Sequence, residues 1–168
     1  MPSKSLLLIA FIISSFCSIY SYGQRPTPSP APEFNQCWEY SDKENSFENL
    51  LVTKDRIIAA SPVARLIALD PTQGSLIWTA DLGGEIISSI ESTEQKLFVA
   101  THAKSDAVEE QNYLNSISLE TGITLWRIKI GGTGKIYVAA TPTSVIAAAE
   151  SGEIAGYRAD NGTLLWQF

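Results

Sequence analysis

With 168 residues, 45% of them hydrophobic, the sequence suits one globular domain with an ordinary core and not a disordered chain. Its formal net charge of −6 and pI of about 4.8 would repel a phosphate backbone, which excludes nucleic acid as an electrostatically held partner.

In chain order, Lys4 precedes an apolar run from Leu6 to Tyr20, and Ser21-Tyr22-Gly23 puts small residues at −3 and −1 of a cleavage before Gln24. That layout predicts a secretory signal peptide over residues 1–23, since the run is shorter than the ~20 residues a spanning helix needs. Cys17 follows Phe16 and not a small residue, which argues against a lipoprotein signal there. The protein is therefore expected to be exported, to a periplasmic or extracellular location. Residues 24–35 contain Arg-Pro-Thr-Pro-Ser-Pro-Ala-Pro (Arg25–Pro32), whose alternate prolines predict an extended linker. Cleavage would leave Cys37 as the remaining cysteine. It is expected to form no internal disulfide and to act as a small buried hydrophobe.

Residues 36–168 carry a repeat. Apolar bursts at Leu50–Val52, Arg56–Ala60 and Ala64–Leu69, followed by Ser75–Trp78, are strand-length, rich in β-branched residues and separated by turn formers. The set recurs as Glu85–Ile90, Lys96–Ala100, Asn112–Leu119 and Ile123–Arg127. It recurs again as Lys135–Ala140, Ser144–Ala149, Glu153–Tyr157 and Thr163–Gln167. The four tryptophans, Trp38, Trp78, Trp126 and Trp166, fall at intervals of 40, 48 and 40 residues. The longer interval holds a polar insertion, Ala103–Gln111, expected to be a solvated loop. Four-stranded units with a period near 40 residues predict an all-β fold, a partial β-propeller of three antiparallel blades. A two-sheet sandwich could use the same strands but would not require one glycine and one tryptophan in every unit.

Each unit ends in a strand, a glycine turn and a second strand: Gly74 and Trp78, Gly122 and Trp126, Gly162 and Trp166. The glycines stand where a hairpin needs positive φ, and Asn161-Gly162 reads as the strongest hairpin dipeptide of the three. The tryptophan four residues later is expected to lie between its own blade and the next, its indole N–H paired. Small residues six places before each glycine, Ala68, Ser116 and Gly156, are expected to leave room for the ring of an adjacent blade.

Ala68-Leu69-Asp70-Pro71-Thr72-Gln73-Gly74-Ser75-Leu76-Ile77-Trp78 resembles the tryptophan-docking repeat of the pyrroloquinoline-quinone-type (PQQ-like) β-propellers, Ala-x-Asp-x-x-Thr-Gly-x-x-x-Trp. Thr121-Gly122 keeps the threonine, while Ser118 replaces the aspartate; Arg158 and Asn161 fill those two positions in the third copy. The resemblance implies three kinds of function. Quinoprotein dehydrogenases oxidise alcohols or sugars with bound quinone and calcium, BamB-like propellers serve outer-membrane protein assembly without chemistry, and a third group are sensor domains of signalling proteins. The chain lacks a vicinal cysteine pair and a full set of blades, so the expectation is a non-enzymatic protein-binding or scaffolding propeller, closest in character to BamB-like members, with no cofactor or metal. Quinone and calcium belong only to the dehydrogenase alternative.

Asp106, Glu109 and Glu110, in the polar insertion, are the candidate partner contacts. His102 has no cysteine or second histidine nearby and reads as an ordinary loop histidine. Gly131-Gly132-Thr133-Gly134 lacks the Lys-Ser/Thr of a phosphate loop and reads as an interblade turn. Three blades fall short of the about four that a ring needs. Either the sequence is part of a longer product or chains associate to finish a ring, and the segment around Trp38 reads as the closing strand of a last blade.

Overall fold

The structure, a computed structural model, describes residues 37–43, 45–105 and 108–168, with backbone alone at 104, 105, 108 and 109. The predicted signal peptide (1–23) and linker (24–35) lie outside the described residues. All regular structure among the described residues is β, and they belong to one compact unit, Gln36–Phe168.

Blade 1 is a meander of β1 (Asn49–Val52), β2 (Ile57–Ala60), β3 (Arg65–Leu69) and β4 (Leu76–Asp81), each strand antiparallel to the next. Blade 3 repeats it with β10 (Ile136–Ala140), β11 (Ser144–Ala149), β12 (Ile154–Arg158) and β13 (Leu164–Gln167). In blade 2 the inner strand is split into β5 (Glu85–Ile86) and β6 (Glu91–Ser92), both on β7 (Lys96–Ser105); β8 (Val108–Ser118) and β9 (Thr124–Ile130) complete it. The single inner strand expected over Glu85–Ile90 is thus interrupted. Ser88, buried in the gap, donates its hydroxyl to Ser89 O and accepts the amide of Ala100, so a side chain replaces a ladder bond.

The hydrophobic cores lie between the blades. Ile58, Leu66 and Trp78 of blade 1 meet Leu97, Val99 and Ile117 of blade 2. Phe98 and Leu114 on the other face of blade 2 meet Ile136, Val138, Val145 and Tyr157 of blade 3. This explains why Leu66, Ile67 and Ala68 are all fully buried in consecutive positions: β3 is covered on both faces, so the usual alternation is lost. Each fully buried Leu, Ile or Phe contributes about 1.5–3 kcal/mol.

Two expectations are corrected here. Over its described residues the insertion is strand and not loop: β7 and β8 extend into it, pairing from His102–Asn112 out to Ser105–Val108, and form a two-stranded arm. The residues around Trp38 form no strand among the described residues; instead Trp38, Tyr40 and Phe47 cover Ala59, Ile67 and Leu69 on the free face of blade 1.

Candidate functional site: the interblade docks and the blade 2 arm

Each glycine turn has the same hydrogen bonding. Gly74 N donates to Asp70 O (2.8 Å) and Asp70 N to Ser75 O (2.9 Å). The equivalent bonds are Gly122 N to Ser118 O (2.9 Å) with Ser118 N to Ile123 O (2.8 Å), and Gly162 N to Arg158 O (2.9 Å) with Arg158 N to Thr163 O (2.8 Å). Four residues thus lie between the paired strand ends, and the glycine takes φ of 67°, 74° or 72°. Asn161-Gly162 is therefore not the centre of a two-residue turn; Asn161 Oδ1 instead accepts the amide of Thr163. Asp70 Oδ1 accepts the amides of Thr72 and Gln73 at 2.7 and 2.8 Å, and Ser118 Oγ accepts that of Thr121 at 3.2 Å. The serine keeps one of the aspartate's two contacts.

The turn builds a receptor for the preceding tryptophan. Trp38 Nε1 donates to Pro71 O (3.0 Å), Trp78 Nε1 to Leu119 O (3.1 Å) and Trp126 Nε1 to Ala159 O (3.2 Å), each acceptor standing three residues before a turn glycine. The ring lies flat on that glycine. A Cβ added to Gly74 would sit 2.5 Å from Trp38 Cδ2, one on Gly122 2.6 Å from Trp78 Cε3, and one on Gly162 3.0 Å from Trp126 Cε3. Glycine is thus required twice, for the left-handed φ and for the absent methyl. Trp166 has no following turn among the described residues and is 38% exposed.

The small residues serve a different ring from the one expected. Ala68 pairs across the ladder with Trp78, Ser116 with Trp126 and Gly156 with Trp166, all within one blade. A Cβ on Gly156 would fall 2.5 Å from Trp166 Cε2. They clear the tryptophan of their own blade, because the bulge after the turn places it directly opposite.

A second donor, invisible in the Gly-x-x-x-Trp pattern, reaches the same carbonyls. Arg56 Nε donates to Leu119 O at 3.2 Å and Lys96 Nζ to Ala159 O at 2.9 Å. Both cations follow a threonine by three residues. Arg56 N donates to Thr53 Oγ1 and Lys96 N to Thr93 Oγ1, a bracket that fixes the start of β2 and β7. Each closed interface therefore holds one carbonyl between an indole and a cation. A sign in the sequence exists, Thr-x-x-Arg/Lys at equivalent places in two units, but it is short and lies far from the glycine turn.

The remaining candidates are dispersed. Asp106 lies outside the described residues, and Glu109 is placed on β8 by its backbone only; Glu110 is exposed near the base of the arm. His102 is no loop residue: it sits within β7, half-buried, its Nδ1 2.7 Å from Asn112 Oδ1, while Asn112 Nδ2 donates to Gly132 O at 2.8 Å. That chain ties the arm to the Gly131–Gly134 connection between β9 and β10. Cys37 is exposed, contrary to the buried role expected, because alternation along 37–40 turns Trp38 and Tyr40 inward. Of the titratable groups, Glu153 is held below the ordinary carboxylate value by the Ser151 hydroxyl and by its own backbone amide, and burial raises Tyr157 above 10.0.

No three His, Cys, Asp or Glu side chains among the described residues gather at a point that could hold a metal ion.

Repeated four-stranded blades, stacked face to face and coupled by docked tryptophans, define a β-propeller of the PQQ-like repeat class. A family model described as outer membrane protein assembly factor BamB matches residues 35–168, and the chain belongs to that family. No curated protein sequence matches. Among solved structures, BamB from Moraxella catarrhalis is similar at 18% identity and a TM-score of 0.61, over 77% of this chain and 39% of that one. A quinohemoprotein alcohol dehydrogenase, ADHIIG from Pseudomonas putida HK5, is similar at 18% identity and a TM-score of 0.58, over 76% of this chain and 21% of that one. The computationally designed Ika4 protein aligns at 16% identity and a TM-score of 0.64, over 81% of this chain and 80% of that one. At these identities the likeness establishes the shared fold. The chain spans about two-fifths of the BamB structure and about a fifth of the dehydrogenase.

Proposed function

We propose that the protein is an exported, non-enzymatic propeller that binds proteins, acting as a scaffold in outer-membrane protein assembly in the periplasm or at the outer membrane. The observation that carries this reading is the blade 2 arm. Strands β7 and β8 reach 10 and 11 residues where their counterparts have four to six, and beyond Asn112 they pair only with each other. A two-stranded ribbon that extends past the other strands of its sheet offers backbone donors and acceptors for strand addition, which recognises extended polypeptide with little demand on sequence. Outer-membrane proteins in transit present such strands, and the family match supports that class of partner.

The test is binding of an unfolded outer-membrane β-barrel protein to the chain and to a variant with residues 104–109 replaced by a two-residue turn. Loss of binding with unchanged thermal stability supports the arm as the contact; undiminished binding removes it. The dehydrogenase likeness favours a second reading, a stretch of a quinoprotein enzyme. Reconstitution with pyrroloquinoline quinone and calcium distinguishes them: a bound-quinone absorbance band with alcohol oxidation would establish the enzyme.

A further inference from the structure

The interface between blades 1 and 2 and that between blades 2 and 3 share one frame but are not filled alike. Cross-strand pairing fixes the equivalence: Ser116 lies opposite Trp126 as Gly156 lies opposite Trp166, so Val99, Thr101, Tyr113 and Asn115 of blade 2 correspond to Ala147, Ala149, Glu153 and Ala155 of blade 3. In the first interface Val99, Thr101 and Asn115 are buried, and Asn115 Nδ2 donates to Val99 O at 3.2 Å and to Thr101 Oγ1 at 3.0 Å. The Tyr113 ring lies 3.9 Å from the Arg127 guanidinium, which reaches on to Leu82 O. In the second interface alanine replaces the valine, the threonine and the asparagine, and a glutamate replaces the aromatic ring. A cavity of about 170 Å³ results, walled by Ile130, Ile136, Ala147, Ala149, Ala155 and Tyr157, with Glu153 at its edge.

Tyr157 gives that cavity a polar point. The residue is only 8% exposed, yet its hydroxyl has no hydrogen-bond partner among the described residues. An apolar cavity of about 150 Å³ takes up benzene or xenon, and a buried hydroxyl without a partner leaves a donor to be satisfied. We propose that this cavity binds a small neutral aromatic molecule with one oxygen, a phenol, whose ring replaces the Tyr113 side chain of the first interface and whose oxygen accepts the Tyr157 O–H. The proposal goes beyond the protein-binding reading and does not depend on it. Glu153 sets the charge preference: the Ser151 hydroxyl holds its carboxylate ionised at the cavity edge, so an anionic ring is repelled.

The test uses the full chain with 13C-labelled alanine methyl groups, titrated separately with phenol, benzene and benzoate. Phenol and benzene should give saturable shifts at Ala147, Ala149 and Ala155, and benzoate none. Tyr157→Phe should weaken phenol about fivefold and leave benzene unchanged. Filling the cavity with the residues of the first interface, Ala147→Val with Ala149→Thr and Ala155→Asn, should abolish binding of both. The proposal is overturned by absent shifts with phenol, by benzoate binding as tightly as phenol, by equal effects of Tyr157→Phe on phenol and benzene, or by undiminished binding in the filled variant. Should the filled variant lose its native circular dichroism, Ala147→Val alone narrows the cavity. Weakened phenol binding then supports the site, and binding as tight as in the parent chain overturns it.

Discussion

Trp78, Trp126 and Trp166 stand at equivalent positions yet have unequal environments, and that inequality makes the docks measurable. Trp78 and Trp126 each pair an indole N–H across a blade interface, whereas Trp166 does not among the described residues. Trp78→Ala and Trp126→Ala should each cost roughly 3–5 kcal/mol in urea denaturation. Trp166→Ala, at an exposed site, should stay within about 1 kcal/mol. Gly122→Ala is expected to destabilise by more than the roughly 1–2 kcal/mol of the left-handed conformation alone, because the methyl also meets the Trp78 ring. Lys96→Met should lose about 1 kcal/mol of charge-assisted hydrogen bonding, less to the extent that solvent reaches the ammonium.

Among the elements, what the sequence shows follows from how local each signal is. The glycine turns are visible because positive φ and one short loop length leave glycine as the suitable residue, and each tryptophan is tied to its turn by four residues. Strand existence is visible for the same reason, since the bursts are short, β-branched and punctuated. The length of β7 and β8 is not, because Lys104–Glu110 carries no run of alternating apolar residues in the sequence that would announce a strand. Cation and carbonyl in the docks are 63 residues apart in each pair, beyond any local pattern. The pairing of Gly156 with Trp166 was hidden by the bulge, which shifts the register by one residue and decides which ring the small side chain faces. The Asn112 side chain bridges the arm to Gly132, so Asn112→Leu should loosen the arm and not the blade. Hydrogen exchange would show faster amides from Ala103 to Gln111 and unchanged ones in β3 and β12.

For the whole molecule, stability is a series of interfaces, each blade touching only its neighbours, as in other repeat stacks. Tyr157 sits in the interface between blades 2 and 3, and burial raises its phenol above 10.0. Folding favours the neutral phenol, so this contribution is fully present below pH 10 and is lost as pH rises through the folded-state value. Denaturation midpoints should hold through neutral pH and fall above about pH 10, and Tyr157→Phe should flatten that fall. The central claim, that docked tryptophans couple successive blades, is tested most directly by one nuclear magnetic resonance experiment on the 15N-labelled chain. After transfer to deuterated water, the indole N–H signals of Trp38, Trp78 and Trp126 should persist, while that of Trp166 is gone in the first spectrum. Four signals lost together, or a Trp166 signal as persistent as the other three, would contradict it.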